Sequence, residues 1–124
     1  MNRTKTIALW AFQILFAGLM INAGIAKFTV EHWVELFQKW GYMDGFVYVI
    51  GVLEILGGIG LLIPRSASYS AALLAIIMLG ATGTRIVEGA GAVTLMVHLI
   101  YVLAYVFLAF MRRPSFLRKS EKLP

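Results

Sequence analysis

The sequence predicts an all-α protein, a transmembrane four-helix bundle with a short amphipathic interfacial helix between the first two spans. Hydrophobic residues make up 60% of the 124 residues and charged residues only 14%, which is more apolar surface than one soluble core of this size can bury. The apolar residues gather in four stretches, and basic residues flank those stretches. We therefore expect one membrane domain over residues 1–124.

Each apolar stretch is long enough for a helix that crosses a bilayer. At a rise of about 1.5 Å per residue, about 18 to 20 residues cover the hydrocarbon core, and helices satisfy the backbone hydrogen bonds there. Pro64 follows the second stretch, Ser66 can cap the third, and Gly89 and Gly91 precede the fourth. The predicted spans are residues 7–26, 46–63, 67–84 and 92–111.

The connection between the first two spans, residues 28–45, has an amphipathic pattern. Thr29 is a candidate N-cap, and Gly41 lies where a left-handed helix end is favoured. One face of the intervening helix holds Val30, Trp33, Leu36, Phe37 and Trp40. An anchor in the membrane interface is the simpler interpretation, because tryptophan favours that region, and a lid over the bundle is the alternative.

The basic residues predict the orientation in the membrane. With both termini on one side, that side holds eight Lys and Arg residues, and the other side holds Lys27, Lys39 and Arg85. The positive-inside rule then makes the chain a multi-pass protein of the inner (plasma) membrane with cytoplasmic N- and C-termini. A cleaved signal peptide over residues 1–26 is the competing interpretation, but this apolar stretch is long for one.

Composition and missing motifs exclude several classes of function. The chain has no cysteine, which removes thiol catalysis, disulfides and thiolate metal sites. The net charge of +5 comes from residues that flank the spans, so we expect no nucleic-acid partner. Only one of the two histidines, His98, lies in a span, which argues against a bis-histidine haem. We assign no catalytic residue, no metal site and no covalent cofactor.

Polar residues of different spans are predicted to meet in the outer half of the membrane. Glu54 lies in an otherwise apolar span, where a carboxylate is costly and needs partners. The candidate ligand-binding or proton-handling residues are Glu54, Lys27, Arg85, His98, Asn22 and Tyr101. A structural ion pair at Glu54, snorkelling of Lys27 and a local pair between Arg85 and Glu88 remain the simpler alternatives.

Glycines share helix faces with these polar residues. Gly51 and Gly58 flank Glu54 at spacings of three and four, and Gly18 and Gly80 are similarly placed in the first and third spans. Small residues let helices approach closely in lipid. We therefore expect these glycines at helix contacts that shelter Glu54.

Several short motifs resemble the DoxX family of small four-helix membrane proteins. They are AGIAKF at 23–28, WGY at 40–42, GVLEILGG at 51–58, LLIP at 61–64, and MLGA at 78–81 with Thr84-Arg85. The resemblance implies roles for Lys27, Glu54 and Arg85, whereas His98 lies outside these motifs. Members of the family are associated with quinone-linked sulfur oxidation, with oxidoreductase assemblies that meet oxidative stress, and with quinone or catechol tolerance. The lack of cysteine departs from a thiol relay.

Three functions compete at this point. The first is a component of a membrane redox system that binds a quinone or another lipophilic small molecule, in which Lys27, Arg85 or His98 hydrogen-bonds a carbonyl oxygen and Glu54 handles a proton. The second is a non-enzymatic assembly or partner subunit of a membrane complex. The third is a small proton-coupled transporter, although such proteins carry their glutamate in the first span and have a weaker charge bias.

The partners follow from the first function. We expect the lipid bilayer as the surrounding medium, a bound quinone as the ligand, and an oxidoreductase partner that supplies the redox group, with a homo-oligomer as a further expectation.

Overall fold

Helices account for all regular secondary structure in the part of the chain that the computed structural model describes, residues 2–114. The five helices are α1 (Arg3–Thr29), α2 (Glu31–Lys39), α3 (Phe46–Leu61), α4 (Ala67–Glu88) and α5 (Ala92–Met111). The four longer helices run alternately up and down, with α3 packed between α1 and α4, and α5 packed on α4. The end of this bundle that lies next to α2 is named the α2 end. The opposite end, where α1 begins at Arg3 and α5 ends at Met111, is named the terminal end. The all-α prediction is confirmed.

Three helices, α1, α4 and α5, are long and apolar enough to cross a membrane. The helix α3 is apolar but has only 16 residues, or about 24 Å. It ends at Leu61, two residues before the predicted end of its span. Proline disfavours helical geometry at the residue before it, so Pro64 explains why the chain turns here. The prediction of four apolar helices is confirmed, but α3 is shorter than a typical span.

The helix ends agree with the predicted signals at the glycines but not at Thr29 or at Ser66. Ser66 occupies the N-cap position of α4, but its hydroxyl donates to the Gly60 carbonyl at 2.8 Å and caps no backbone N–H of α4. Gly41 and Gly89 have φ angles of 88° and 84°, the left-handed geometry that glycine adopts without strain. Thr29 is the last residue of α1, and its hydroxyl donates to the Ile25 carbonyl at 3.1 Å. The N-cap of α2 is Val30, without a side-chain hydrogen bond. The prediction of Thr29 as a cap is therefore wrong, because its hydroxyl bonds back into α1.

The helices α1 and α3 touch through their backbones. A Cβ atom built on Gly24 would lie 2.5 Å from the carbonyl oxygen of Gly51, and one built on Gly58 would lie 2.9 Å from that of Ala17. Both separations are too short for a real Cβ, so only glycine fits at these positions. Gly51 and Gly58 are thus at a helix contact as predicted. Gly18 has no atom outside its own helix backbone within 4 Å of such a Cβ, and the prediction for it is wrong.

The terminal end of the bundle is filled by polar and aromatic contacts. Gln13 of α1 is fully buried; its amide nitrogen donates to the carbonyl oxygen of Leu61, and its amide oxygen accepts from Arg112 Nε at 2.7 Å. The hydroxyl of Tyr105, on α5, donates to the Phe16 carbonyl at 2.8 Å. These hydrogen bonds connect α1 to both α3 and α5. Gln13 was not among the residues predicted from the sequence.

Replacement of Gly24 with alanine tests the contact between α1 and α3. We expect Gly24→Ala to lower the free energy of unfolding by about 1 to 3 kcal/mol, because the new methyl group overlaps the α3 backbone. Gly18→Ala is the matched control in the same helix and should cost less than about 0.5 kcal/mol. The measurement is unfolding in mild detergent on titration with SDS. Equal destabilisation by the two variants would contradict this packing.

Candidate functional site

The carboxylate of Glu54 pairs with the ammonium group of Lys27 inside the bundle. Lys27 Nζ lies 2.7 Å from Glu54 Oε1, and the two side chains are only 6% and 5% exposed. A Cβ on Gly51 would lie 3.2 Å from Lys27 Cβ, so this glycine allows α3 to pass close beside Lys27. Of the partners predicted for Glu54, the structure selects Lys27.

Burial of this pair costs free energy, so the stability of the site depends on the presence of both partners. Two opposite charges at 2.7 Å compensate each other, whereas removal of one leaves an unpaired charge in an apolar interior. The Lys27 ammonium also lies 4.3 Å from the centroid of the Trp33 ring, a cation–π contact. Through Lys27 the site thus links α1, α2 and α3.

The ion pair forms part of the wall of a cavity of about 430 Å³ at the α2 end of the bundle. Side chains from all five helices line the cavity, and most of them are apolar or aromatic. Polar groups converge from α1, α3, α4 and α5; they belong to Lys27, Glu54, Thr84, Arg85, His98 and Tyr101. Such a combination of apolar walls and a few polar groups is typical of a small-molecule site.

The amphipathic helix α2 covers one side of this cavity. Trp33, Phe37 and Trp40 all line it, and Phe37 is buried. The aromatic face of α2 is therefore turned to the interior of the protein, which is what the lid interpretation predicts. The polar residues Glu31, Glu35 and Lys39 are exposed.

Arg85 attaches α4 to α2 at the rim of the cavity. Its guanidinium carbon lies 4.9 Å from the centroid of the Trp40 ring, and its Nη1 donates to Glu88 Oε2 at 3.0 Å. At Thr84, the residue directly before Arg85, the side-chain hydroxyl shares a hydrogen bond with the hydroxyl of Tyr42. The predicted pair between Arg85 and Glu88 is confirmed, and Arg85 has a second role in holding Trp40.

The environment of His98 determines which of its ring nitrogens faces a ligand as an acceptor. His98 Nδ1 lies 2.8 Å from the carbonyl oxygen of Thr94. A carbonyl oxygen only accepts, so Nδ1 carries the proton, and in the neutral ring Nε2 has the free lone pair. His98 lines the cavity, where Nε2 can accept a hydrogen bond. Tyr101 also lines the cavity, and its ring packs edge-on against Phe16 with 5.7 Å between centroids.

Asn22 is the one predicted site residue that the structure places elsewhere. It is exposed, and the cavity-lining residues of α1 are Met20, Ala23 and Lys27. These three recur at spacings of three and four, so they share one face of the helix. Asn22 precedes Ala23 by one residue and therefore points about 100° away. The prediction that it joins the site is not supported, because depth alone does not determine the direction of a side chain.

Gly80 does not lie at a helix contact, as was predicted for it, but beside the cavity. It lines the cavity, and no atom outside its own helix backbone lies within 4 Å of the position a Cβ would take. Gly80 thus leaves space empty. Gly57 has the opposite role and allows α3 and α4 to approach, since a Cβ on Gly57 would lie 2.7 Å from Leu74 Cδ2. The prediction of Gly80 at a helix contact is wrong.

Together these features define a small helical membrane protein with an internal cavity next to a buried ion pair. The profile of the DoxX-like family matches residues 11–111. The chain belongs to this family, and the match includes His98, which lay outside the motifs that suggested the resemblance. In two other comparisons, no curated protein and no solved structure matches the chain significantly.

Neutralisation of the ion pair one residue at a time tests its energetic role. We expect Lys27→Met and Glu54→Leu each to lower the free energy of unfolding by about 3 kcal/mol, because each leaves one buried charge without its partner. The double variant Lys27→Met/Glu54→Leu should recover to within about 1 kcal/mol of the parent chain. SDS-induced unfolding in mild detergent measures all three. Additive losses in the double variant would exclude a coupled pair.

Proposed function

We propose that the cavity binds a lipophilic small molecule of the quinone class, and that the protein is the quinone-binding component of a membrane redox system. One observation carries this proposal: a cavity of about 430 Å³ with aromatic walls that also includes a charged pair and a histidine. The volume is within the range of about 300 to 1,000 Å³ that is usual for small-molecule sites.

The polar groups of the cavity suit both redox forms of such a ligand. A quinone presents carbonyl oxygens that accept hydrogen bonds, and the Lys27 ammonium is a donor. A hydroquinone presents hydroxyl groups that donate, and His98 Nε2 is an acceptor in the tautomer fixed by Thr94. Trp33 and Trp40 in the walls provide faces for ring stacking.

Proton handling is the proposed role of Glu54. Reduction of a quinone to a hydroquinone takes up two electrons and two protons. Glu54 and Lys27, at 2.7 Å, and His98 all line the cavity, so they can exchange these protons with the ligand. The electrons have to come from an oxidoreductase partner, since the amino acids of this chain include no redox centre such as a thiol pair.

The proposed membrane topology has four spans with both termini in the cytoplasm of the inner membrane. The helix α3 lies between α1 and α4 and carries the chain from the α2 end back to the terminal end. If α1 and α4 both cross the bilayer, α3 has to cross it as well, despite its length of 16 residues. Local thinning of the bilayer accommodates a short span at modest cost.

The alternative function as a subunit for assembly has less support. It requires glycine-rich helix faces that are free to contact a partner protein. Gly24, Gly51 and Gly58 instead contact neighbouring helices of the same chain. These three glycines are therefore unavailable to a partner, which would have to bind elsewhere, for example at the uncovered Gly18.

Tryptophan fluorescence tests the proposed binding, because quinones quench indole emission. We expect decylubiquinone to quench the Trp10→Phe variant in lipid nanodiscs saturably, at about one ligand per chain, since Trp33 and Trp40 line the cavity. His98→Phe in the same background should weaken binding by about threefold to tenfold through loss of one hydrogen bond.

The matched control retains only Trp10, which lies beside Arg112 at the terminal end. The variant Trp33→Phe/Trp40→Phe should show only the weak, linear quenching caused by quinone dissolved in the lipid. Equal, unsaturable quenching of Trp10 and of the cavity tryptophans would refute the proposed function.

Single-cysteine labelling tests the proposed topology, because the chain has no natural cysteine. Met43, between α2 and α3, is 76% exposed, and Arg65, between α3 and α4, is also exposed. We expect a membrane-impermeant maleimide added to intact cells to label Met43→Cys, and to label Arg65→Cys only after lysis. Labelling of both from one side would show that α3 does not cross the membrane.

A further inference from the structure

We propose that the cavity opens sideways into the hydrocarbon of the bilayer, through a portal between α3 and α4 at Gly80, and that a lipophilic ligand enters there. This inference rests on the proposed function, because it assigns a route to the same ligand. It makes Gly80 a residue that selects ligands by their access from lipid.

Ile76 marks the opening on the surface of the bundle. It lines the cavity, yet it is 65% exposed. Both conditions are met where the cavity wall reaches the surface. Ile76 is the tenth residue of the 22-residue helix α4, which places it about 14 Å along a helix about 33 Å long. The opening therefore lies near the middle of the membrane, away from both aqueous surfaces.

Gly80 leaves the same opening unfilled one turn nearer the α2 end. It is exposed and also lines the cavity. A Cβ at this position would have no neighbour within 4 Å outside its own helix backbone. A residue with any larger side chain would place atoms in the gap that glycine leaves open.

The position of the neighbouring helices assigns the portal to the α3 side of α4. The opposite flank of α4 packs on α5, as the hydrogen bond of 2.8 Å from Ser68 Oγ to the Ala109 carbonyl shows. Ser68, Ala75 and Thr82 recur every seven residues and share that flank, whereas Ile76 and Gly80 lie about 100° and about 140° from its mean direction. Ile77 and Ala81 also line the cavity, and they follow Leu74 by three and seven residues, on the face of α4 that packs against Gly57 of α3.

Contacts near the terminal end limit the portal in that direction. There α3 and α4 are close, because a Cβ on Gly57 would lie 2.7 Å from Leu74 Cδ2. Nearer the α2 end, Phe46 and Ile50 of α3 line the cavity together with Gly80 of α4. All residues that frame the opening are apolar or glycine, which suits passage of a hydrocarbon chain and not of water.

The aqueous mouth of the cavity is more restricted. Trp40 lies under the Arg85 guanidinium, and Tyr42 is hydrogen-bonded to Thr84. A ligand with a long tail can thus place its ring beside Lys27 and Glu54 while its tail remains in the lipid outside the portal. A ring without a tail can use the aqueous side.

The experiment compares Gly80→Phe with Gly83→Phe in the Trp10→Phe background. Gly83 is the matched control, because it is exposed on the same helix, has no neighbour within 4 Å of a Cβ, and does not line the cavity. The probes are decylubiquinone supplied in the lipid and the same benzoquinone ring without its tail supplied in water. Stopped-flow quenching of Trp33 and Trp40 gives the entry rate.

We expect Gly80→Phe to slow entry of the decyl probe by about tenfold and to leave the entry rate of the tailless probe within about twofold of the parent rate. Gly83→Phe should change neither entry rate by more than about twofold. Gly80→Leu, with a smaller side chain, provides a second obstruction in case the phenylalanine variant does not fold. Equal decyl rates in the two phenylalanine variants, or equal slowing of both probes by Gly80→Phe, would overturn the portal alone. Absence of saturable quenching in the parent protein would instead overturn the proposed function and the portal with it.

Discussion

The pairing of Lys27 with Glu54 is the interaction on which the rest of this structure depends. A carboxylate in an apolar helix needs a partner at hydrogen-bonding distance, and Lys27 on α1 reaches it at 2.7 Å. The pair fits between α1 and α3 because Gly24 and Gly51 allow the two backbones to touch. Glycine packing and charge pairing thus depend on each other, and a change in either one disturbs the wall of the cavity.

The two ends of the bundle differ in how their interior is used. At the terminal end, the side chains of Phe12, Phe16 and Tyr105 pack together, and the buried amide of Gln13 connects α1 to α3 and α5. At the α2 end the interior is hollow and is covered by α2. Two basic residues hold this cover, since Lys27 contacts Trp33 and Arg85 contacts Trp40. A ligand that competes for either cation would therefore also act on α2.

The sequence predicted the elements and the central residue, because those depend on strong local signals. The lengths of the apolar stretches and the glycines between them predicted the helices. Glu54 was identified because it is the only carboxylate in an otherwise apolar stretch. The depth of each residue along its span was enough to predict that four further residues lie around one cavity, namely Lys27, Arg85, His98 and Tyr101. It failed for Asn22, because depth says nothing about the direction in which a side chain points around the helix axis.

Other differences have equally specific causes. A glycine at a small-residue spacing can mark a close helix contact, as at Gly24, or an unfilled gap, as at Gly80, and only the neighbouring helix decides between them. The sequence also left open whether the aromatic face of α2 meets lipid or protein, since either environment suits tryptophan. Gln13 carried the same kind of signal as Asn22, a polar amide in the first apolar stretch, but its acceptor is a backbone carbonyl that no motif reveals.

The most direct test of this account is the separation of Lys27 and Glu54 in a lipid bilayer. Solid-state NMR of protein labelled with ¹⁵N-lysine and ¹³C-glutamate can measure the dipolar coupling between the Lys27 ammonium nitrogen and the Glu54 carboxyl carbon, with Lys27→Met to assign the signal. The Nζ–Oε1 separation of 2.7 Å predicts a strong coupling that disappears in the variant. Absence of that coupling in the parent chain would show that the two groups are apart, and would remove the basis for the site.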